Sequence, residues 1–153
     1  MKFDQMMEKI DIEYSGSKYE QLFFNIDEEN KIQYRNGNKY WFLNGKRHRE
    51  DGPAIEWASG NKHWYLNGKL HRTDGPAIEW ASGNKHWYLN GEYHRADGPA
   101  IERSGGDKSW WLHGNCHRAD GPAIEYSNGS KCWLLHGKEY SEEKYNEKVK
   151  RYR

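Results

Sequence analysis

The string His-Arg-x-Asp-Gly-Pro-Ala-Ile-Glu begins at His48, His71, His94 and His117, with a step of 23 residues each time. Repetition at a short fixed period constrains a fold strongly. Each unit is too small to bury its own apolar face and must stack on the next. A partial fifth unit from Ile32 to Gly45 precedes the four, so the array runs from residue 31 to residue 140. The first two full units are identical from Asp51 to Gly68 and from Asp74 to Gly91, so the later copies say more about what each position demands. Ile55, Gly60, Lys62, Trp64, Leu66 and Gly68 have the same residue in all five units. Glu56 recurs in four, with Gln33 in the partial unit, and Tyr65 varies as Phe42, Tyr88, Trp111 and Leu134.

Within a unit the chemistry is that of a β-hairpin. Pro-Ala-Ile-Glu-Trp-Ala reads as one short strand and Lys-His-Trp-Tyr-Leu as the next. Ser59-Gly60, or Asn128-Gly129 in the last unit, lies between them, and Asn-Gly or His-Gly follows. Glycine in such pairs supplies the positive φ of tight turns, and the glycines and proline together argue against helix. With a two- or four-residue loop, alternation puts Ile55, Trp57, Lys62, Trp64 and Leu66 on one face as the core. Ala54, Glu56, His63 and Tyr65 then lie on the other face. The expected fold is all-β: an elongated, single-sheet, antiparallel β-hairpin array advancing roughly 10 Å per unit. Aromatics at 15%, with eight Trp and eleven Tyr, supply the buried area and argue against disorder.

The ends read differently. Residues 141–153 predict a capping helix. Ser141 is its N-cap, Glu142 and Glu143 sit in the first turn, and Lys150 and Arg151 in the last. Tyr145, Val149 and Tyr152 form its apolar stripe. Residues 1–30 form an acidic N-terminal cap in which Phe3, Met6, Met7 and Ile10 fit a short helix and residues 22–26 a strand. It reads as a degenerate first repeat or as an acidic partner-binding arm.

A unit of the form Gly-x-Lys-x-Trp-Tyr-x-Asn-Gly-Lys-x-His resembles the MORN repeat family over residues 31–140. The family's usual His-Gly-x-Gly is replaced here by His-Arg-x-Asp-Gly-Pro, which resembles a MORN-variant subgroup found in phage, viral and bacterial antitoxin-annotated proteins. The resemblance implies an antiparallel single-sheet solenoid used as a binding scaffold, and it transfers no activity.

The four-fold His-Arg-x-Asp admits three readings. As a metal site it has too few ligands, since histidines roughly 10 Å apart cannot share an ion. As a catalytic cluster it lacks a recurring nucleophile, because Ser59 and Ser82 become Gly105 and Asn128 and Cys116 occurs once. As a brace, Asp-Gly makes a turn and each Arg pairs with an Asp of its own or the adjacent unit. The functional competitor is anion binding, through Arg49, Arg72, Arg95 and Arg118 with His48, His71, His94 and His117, beside aromatic faces that stack bases.

These readings point to a non-enzymatic scaffold with no cofactor and no metal, binding a protein partner. The expected contact residues are His63, Tyr65, His86, Tyr88 and Trp111, where the units differ and aromatic anchors carry interface energy. The resemblance implies inhibition or sequestration of a host defence or toxin protein, as by a phage product. The competing reading is a sponge for a nucleotide or cyclic-nucleotide signal held between repeats. A formal net charge of +1 gives no pull toward long nucleic acid or a membrane. Eight acids and three bases in residues 1–29 (about −5) against five bases and three acids in 141–153 (about +2) make head-to-tail homo-oligomer contact through the array ends a further expectation. Cys116 and Cys132 occupy positions held by other residues elsewhere, so both read as free thiols. With no secretory signal or bilayer-length apolar run, the expected compartment is the cytoplasm, the host's if the protein is viral.

Overall fold

The computed structural model describes the backbone of residues 22–25 and all of residues 30–150. The expected helix around Met6 and the role of Tyr152 lie outside the described residues. The chain forms β1 (Leu22–Asn25), β2 (Asn30–Arg35), β3 (Asn38–Leu43) and β4 (Lys46–Arg47). The first full unit then supplies β5 (Ile55–Glu56), β6 (Lys62–His63), β7 (Tyr65–Leu66) and β8 (Lys69–Leu70). The next two units repeat this as β9 (Ile78–Glu79), β10 (Lys85–His86), β11 (Tyr88–Leu89) and β12 (Glu92–Tyr93), then β13 (Ile101–Glu102), β14 (Lys108–Ser109), β15 (Trp111–Leu112) and β16 (Asn115–Cys116). The last unit gives β17 (Ile124–Glu125), β18 (Lys131–Leu135) and β19 (Lys138–Tyr140), and α1 (Glu142–Lys150) follows.

The result is an open antiparallel array of hairpins, elongated and capped by a helix as expected. One sheet runs from end to end in the order β1-β2-β3-β5-β6-β9-β10-β13-β14-β17-β18-β19, with β4 branching from β3. The pairs β7-β8, β11-β12 and β15-β16 form separate two-stranded ladders beside it. In the three middle units the second strand is interrupted at its tryptophan, whereas β3 and β18 run unbroken through Trp41 and Trp133. Lys62 and His63 pair in the main sheet, the Trp64 N–H donates to the Ala77 carbonyl at 2.8 Å, and Tyr65–Leu66 turn away to meet Lys69–Leu70. β1 sits closer in sequence than an array strand would. Phe23 faces Gln33, a separation of 33 − 23 = 10, whereas Lys39 faces Glu56, a separation of 56 − 39 = 17.

Register corrects the expected faces. The Trp57 N–H donates to the Asn61 carbonyl at 3.0 Å and the Gly60 N–H to the Trp57 carbonyl at 2.9 Å, with Gly60 at φ 90°. This is a three-residue loop over residues 58–60, a turn closed by a left-handed glycine. An odd loop shifts the pairing by one residue relative to a two- or four-residue loop, and one residue reverses every side chain. Ile55 therefore faces His63 and Glu56 faces Lys62. Ile55, Trp57, His63 and Tyr65 share one face; Ala54, Glu56, Lys62 and Trp64 share the other. The second turn is as expected: Asn67 and Gly68 have φ of 51° and 81°, the two-residue turn with both central residues left-handed.

Ala54 and Ile55 are consecutive, so they point to opposite faces, and they are 0% and 3% exposed. The same holds for Ala77 and Ile78 at 0% and 6%. A single sheet buries residues on both sides only if its own large side chains lie flat over each face. Rings do this on the Ile55 face, and tryptophans overlaid by arginines do it on the Ala54 face.

Candidate interface and the His-Arg-x-Asp rim

Arg72 shows what the repeated motif does. Its Nε donates to Asp74 at 2.8 Å, and its Nη1 donates to the Pro76 carbonyl at 3.2 Å and to Glu79 at 3.0 Å. The guanidinium lies over the Trp64 ring at 4.1 Å. Arg49, Arg95 and Arg118 repeat this over Trp41, Trp87 and Trp110 at 4.2, 4.1 and 4.0 Å. Each arginine pairs with the Asp of its own unit, as the brace reading anticipates. The glutamate seven residues on is a second carboxylate partner that the sequence reading missed. The Arg49 bond pulls the Asp51 carboxyl below the usual range, and Arg72 does the same to Asp74. The glycine after each Asp is also explained. A Cβ on Gly75 would lie 2.8 Å from the Arg72 guanidinium carbon, so a side chain there would push the guanidinium out of its place.

The histidine of the motif is a clasp to the following unit. Nδ1 of His48 accepts the N–H of Asn67 at 3.1 Å, and Nδ1 of His71 accepts that of Asn90 at 3.2 Å. His94 and His117 accept from His113 at 3.3 Å and His136 at 3.0 Å. At His94 and His117, accepting at Nδ1 requires a neutral ring with its proton on Nε2; at His48 and His71 the same nitrogen also lies 3.1 and 2.9 Å from the side-chain oxygens of Asn67 and Asn90. Burial, then the neighbouring imidazole, lowers the pKa of His94 and of His117. On the opposite rim, the Asn61 side chain accepts the Ala81 N–H at 2.9 Å, and Asn38, Asn84 and Asp107 make the equivalent bond. The recurrence of an Asx residue just after the glycine was a signal the sequence offered for this second clasp.

The five expected contact residues fall on one face, in a continuous row of rings. Trp57 meets His63 edge-on with centroids 4.3 Å apart, and Trp80 meets His86 at 4.4 Å. His63 approaches Trp80 at 6.0 Å and Tyr65 at 6.4 Å. Tyr88 stacks on Tyr93 at 4.2 Å, and Tyr93 reaches Trp111 at 5.3 Å. The Trp111 indole N–H donates to the Ser109 hydroxyl at 2.8 Å. Trp57 and Trp80, expected in the core with Trp64, belong to this row because of the register shift. The rings are half-buried, and Tyr126, at the position of Trp57 in the last unit, is 42% exposed.

The ionisable rings of this face are held neutral beside two cations, Arg47 and Arg103. Burial, then the Arg47 cation, pushes His63 down to about 4, and burial, then Arg103, does the same to His86. Burial and Tyr93 raise the Tyr88 phenol. Cys116 is 5% exposed and burial pushes its thiol up to about 11; it and Cys132 are both free thiols. Among the described residues, no group of three or more His, Cys, Asp or Glu is placed to hold a metal ion, and no helix is long and apolar enough to cross a membrane. No family model, curated protein or solved structure matches the chain.

Proposed function

We propose that the chain is a non-enzymatic binding scaffold whose ring-lined face holds a protein partner. The observation that carries this is the row of half-exposed rings from Trp57 through Trp111 along an open sheet, with Arg103 standing where the third unit would carry a tryptophan. Large rings with few rotatable bonds present contact area at low entropic cost, and such residues anchor protein interfaces. His63, Tyr65, His86, Tyr88 and Trp111 are the contact residues, with Tyr126 added as the most exposed ring of the face. The MORN-like character of the units, the action as a phage-type inhibitor or sequestering protein, and the cytoplasm as its compartment belong to the same proposal.

The nucleotide reading is the weaker one. Each rim arginine already spends donors on two carboxylates and a carbonyl and lies flat on a tryptophan, which leaves little of it for a phosphate. The two are separated by experiment. The immobilised chain should capture a stoichiometric protein from host lysate, and Tyr88→Asp and Tyr126→Asp, shown folded by their melting curves, should lose it while Lys46→Glu on the rim retains it. Capture unaffected by both ring variants, or a rise in melting temperature with micromolar nucleotide abolished by Arg72→Glu, would sink the scaffold reading.

A further inference from the structure

Grooves lie between successive rim loops. The one between the Arg49 and Arg72 loops encloses about 670 Å³ and the one between the Arg72 and Arg95 loops about 630 Å³. Their walls carry arginines matched or outnumbered by carboxylates, and the arginines are turned onto those carboxylates. The last groove is built differently. A sixth unit would place His and Arg at 117 + 23 = 140 and 118 + 23 = 141, but Tyr140 and Ser141 stand there. Helix α1 supplies the far wall instead. Tyr145 fixes it in place: its ring lies 4.9 Å from Trp133, which stands at the position of Trp64 but has Ser141 where the arginine would be. Its hydroxyl donates to the Arg118 carbonyl at 2.8 Å and accepts the Gly121 N–H at 3.1 Å.

The space this leaves is about 700 Å³, within the size range of small-molecule sites. Leu135, Tyr140 and Val149 give it an apolar lining, and Lys138 and Lys148 give it charge. Both ammonium groups lie over the Tyr140 ring, at 5.7 and 5.1 Å, and among the described residues neither makes an ion pair. Among the described residues the wall holds one carboxylate, Asp120, and Arg118 donates to it at 2.8 Å.

We propose that this terminal groove binds a small organic anion with an apolar body: the body packs on Leu135, Tyr140 and Val149, and the anionic group lies between Lys138 and Lys148. The site exists once per chain because it forms only where the helix replaces a repeat. It is separate from the ring face and stands or falls independently of it.

The test uses the full chain and the fluorescent aromatic sulfonate 8-anilinonaphthalene-1-sulfonate. Saturable one-to-one binding with enhanced fluorescence is expected. Octanoate should displace the probe and octan-1-ol, which lacks the charge, should not. Lys138→Glu and Lys148→Glu change exposed residues and should each raise the dissociation constant about ten-fold or more. Lys69→Glu, at the position equivalent to Lys138 in an interior groove, should leave it unchanged. Probe binding that is absent, equally strong in both terminal variants, or equally sensitive to Lys69→Glu overturns the assignment. So does displacement by octan-1-ol as effective as by octanoate. Melting curves confirm that each variant is folded, and the two terminal lysines lie on different elements, so misfolding of one leaves the other as the test.

Discussion

Arg72 concentrates the energetics of a unit in one side chain. Its planar fork meets two carboxylates and a carbonyl while its flat face covers Trp64. Removing it strips the ring of its cover and leaves a half-buried glutamate without its cation. Arg72→Ala should cost about 2–3 kcal/mol in urea unfolding. Arg72→Lys should recover less than half of that, because an ammonium can neither stack flat nor fork. The histidines set a pH dependence. His63, against Trp57, Trp80 and Arg47, and His86, against Trp80, Tyr93 and Arg103, are held at about 4, below the ordinary 6.5. Between those values the unfolded chain takes up protons that the folded chain refuses, so stability is full above about 6.5 and is lost as pH falls toward 4. Solvent screening of these half-exposed rings limits the loss to about 1 kcal/mol each. The melting temperature should therefore drop from pH 7 to pH 4.5, and the double variant His63→Gln, His86→Gln should show a visibly shallower drop. An identical slope in both would mean that these rings are not the titrating groups.

At the scale of the element, one loop decides which side of the sheet each residue faces. Gly106 closes the third unit's copy of that loop at φ 98°, with the Ser127 Cβ 3.3 Å from where its own Cβ would stand. Its neighbour Gly105 has open space and no left-handed φ. Gly106→Ala should destabilise by about 1–2 kcal/mol, while Gly105→Ala should be neutral or slightly stabilising; thermal melts of the pair make the comparison internal. The repeat, the Asn-Gly turns and the C-terminal helix were legible in the sequence, because period and turn chemistry are local. Ser141 stands at the helix N-cap as read, its hydroxyl accepting the Lys144 N–H at 3.4 Å and its carbonyl the Tyr145 N–H at 2.9 Å. The parity of the first loop was not legible from Ser59-Gly60 alone, since that pair suits an even loop and an odd one equally. The choice lies in the Trp57–Asn61 bond, and a glycine at the third loop position followed by Asn was the available hint. The arginine brace was legible as charge pairing with Asp, but its glutamate and tryptophan partners were not, because they are set by how the rim folds back over the sheet. The five residues picked out by variation among units share one face, which says where they lie and not what they bind, while Trp57 and Trp80 were assigned to the core with Trp64 because the register was read inverted.

For the whole molecule, the bonds that join units reach only to the next one. The histidine clasp spans 19 residues and the asparagine clasp 20. Stability is then close to a sum of unit and neighbour contributions. Deleting His71 through Tyr93 removes one full period and should give a shorter chain that still unfolds cooperatively, at a lower melting temperature. Deleting only His71 through Glu79 should abolish the transition, since the clasps no longer meet; circular dichroism distinguishes the outcomes. The uniform 23-residue step also governs how the protein answers tension. Pulled from its termini, the chain peels rather than shears: each detached unit pays out about 80 Å of slack before the next set of clasps takes up the load.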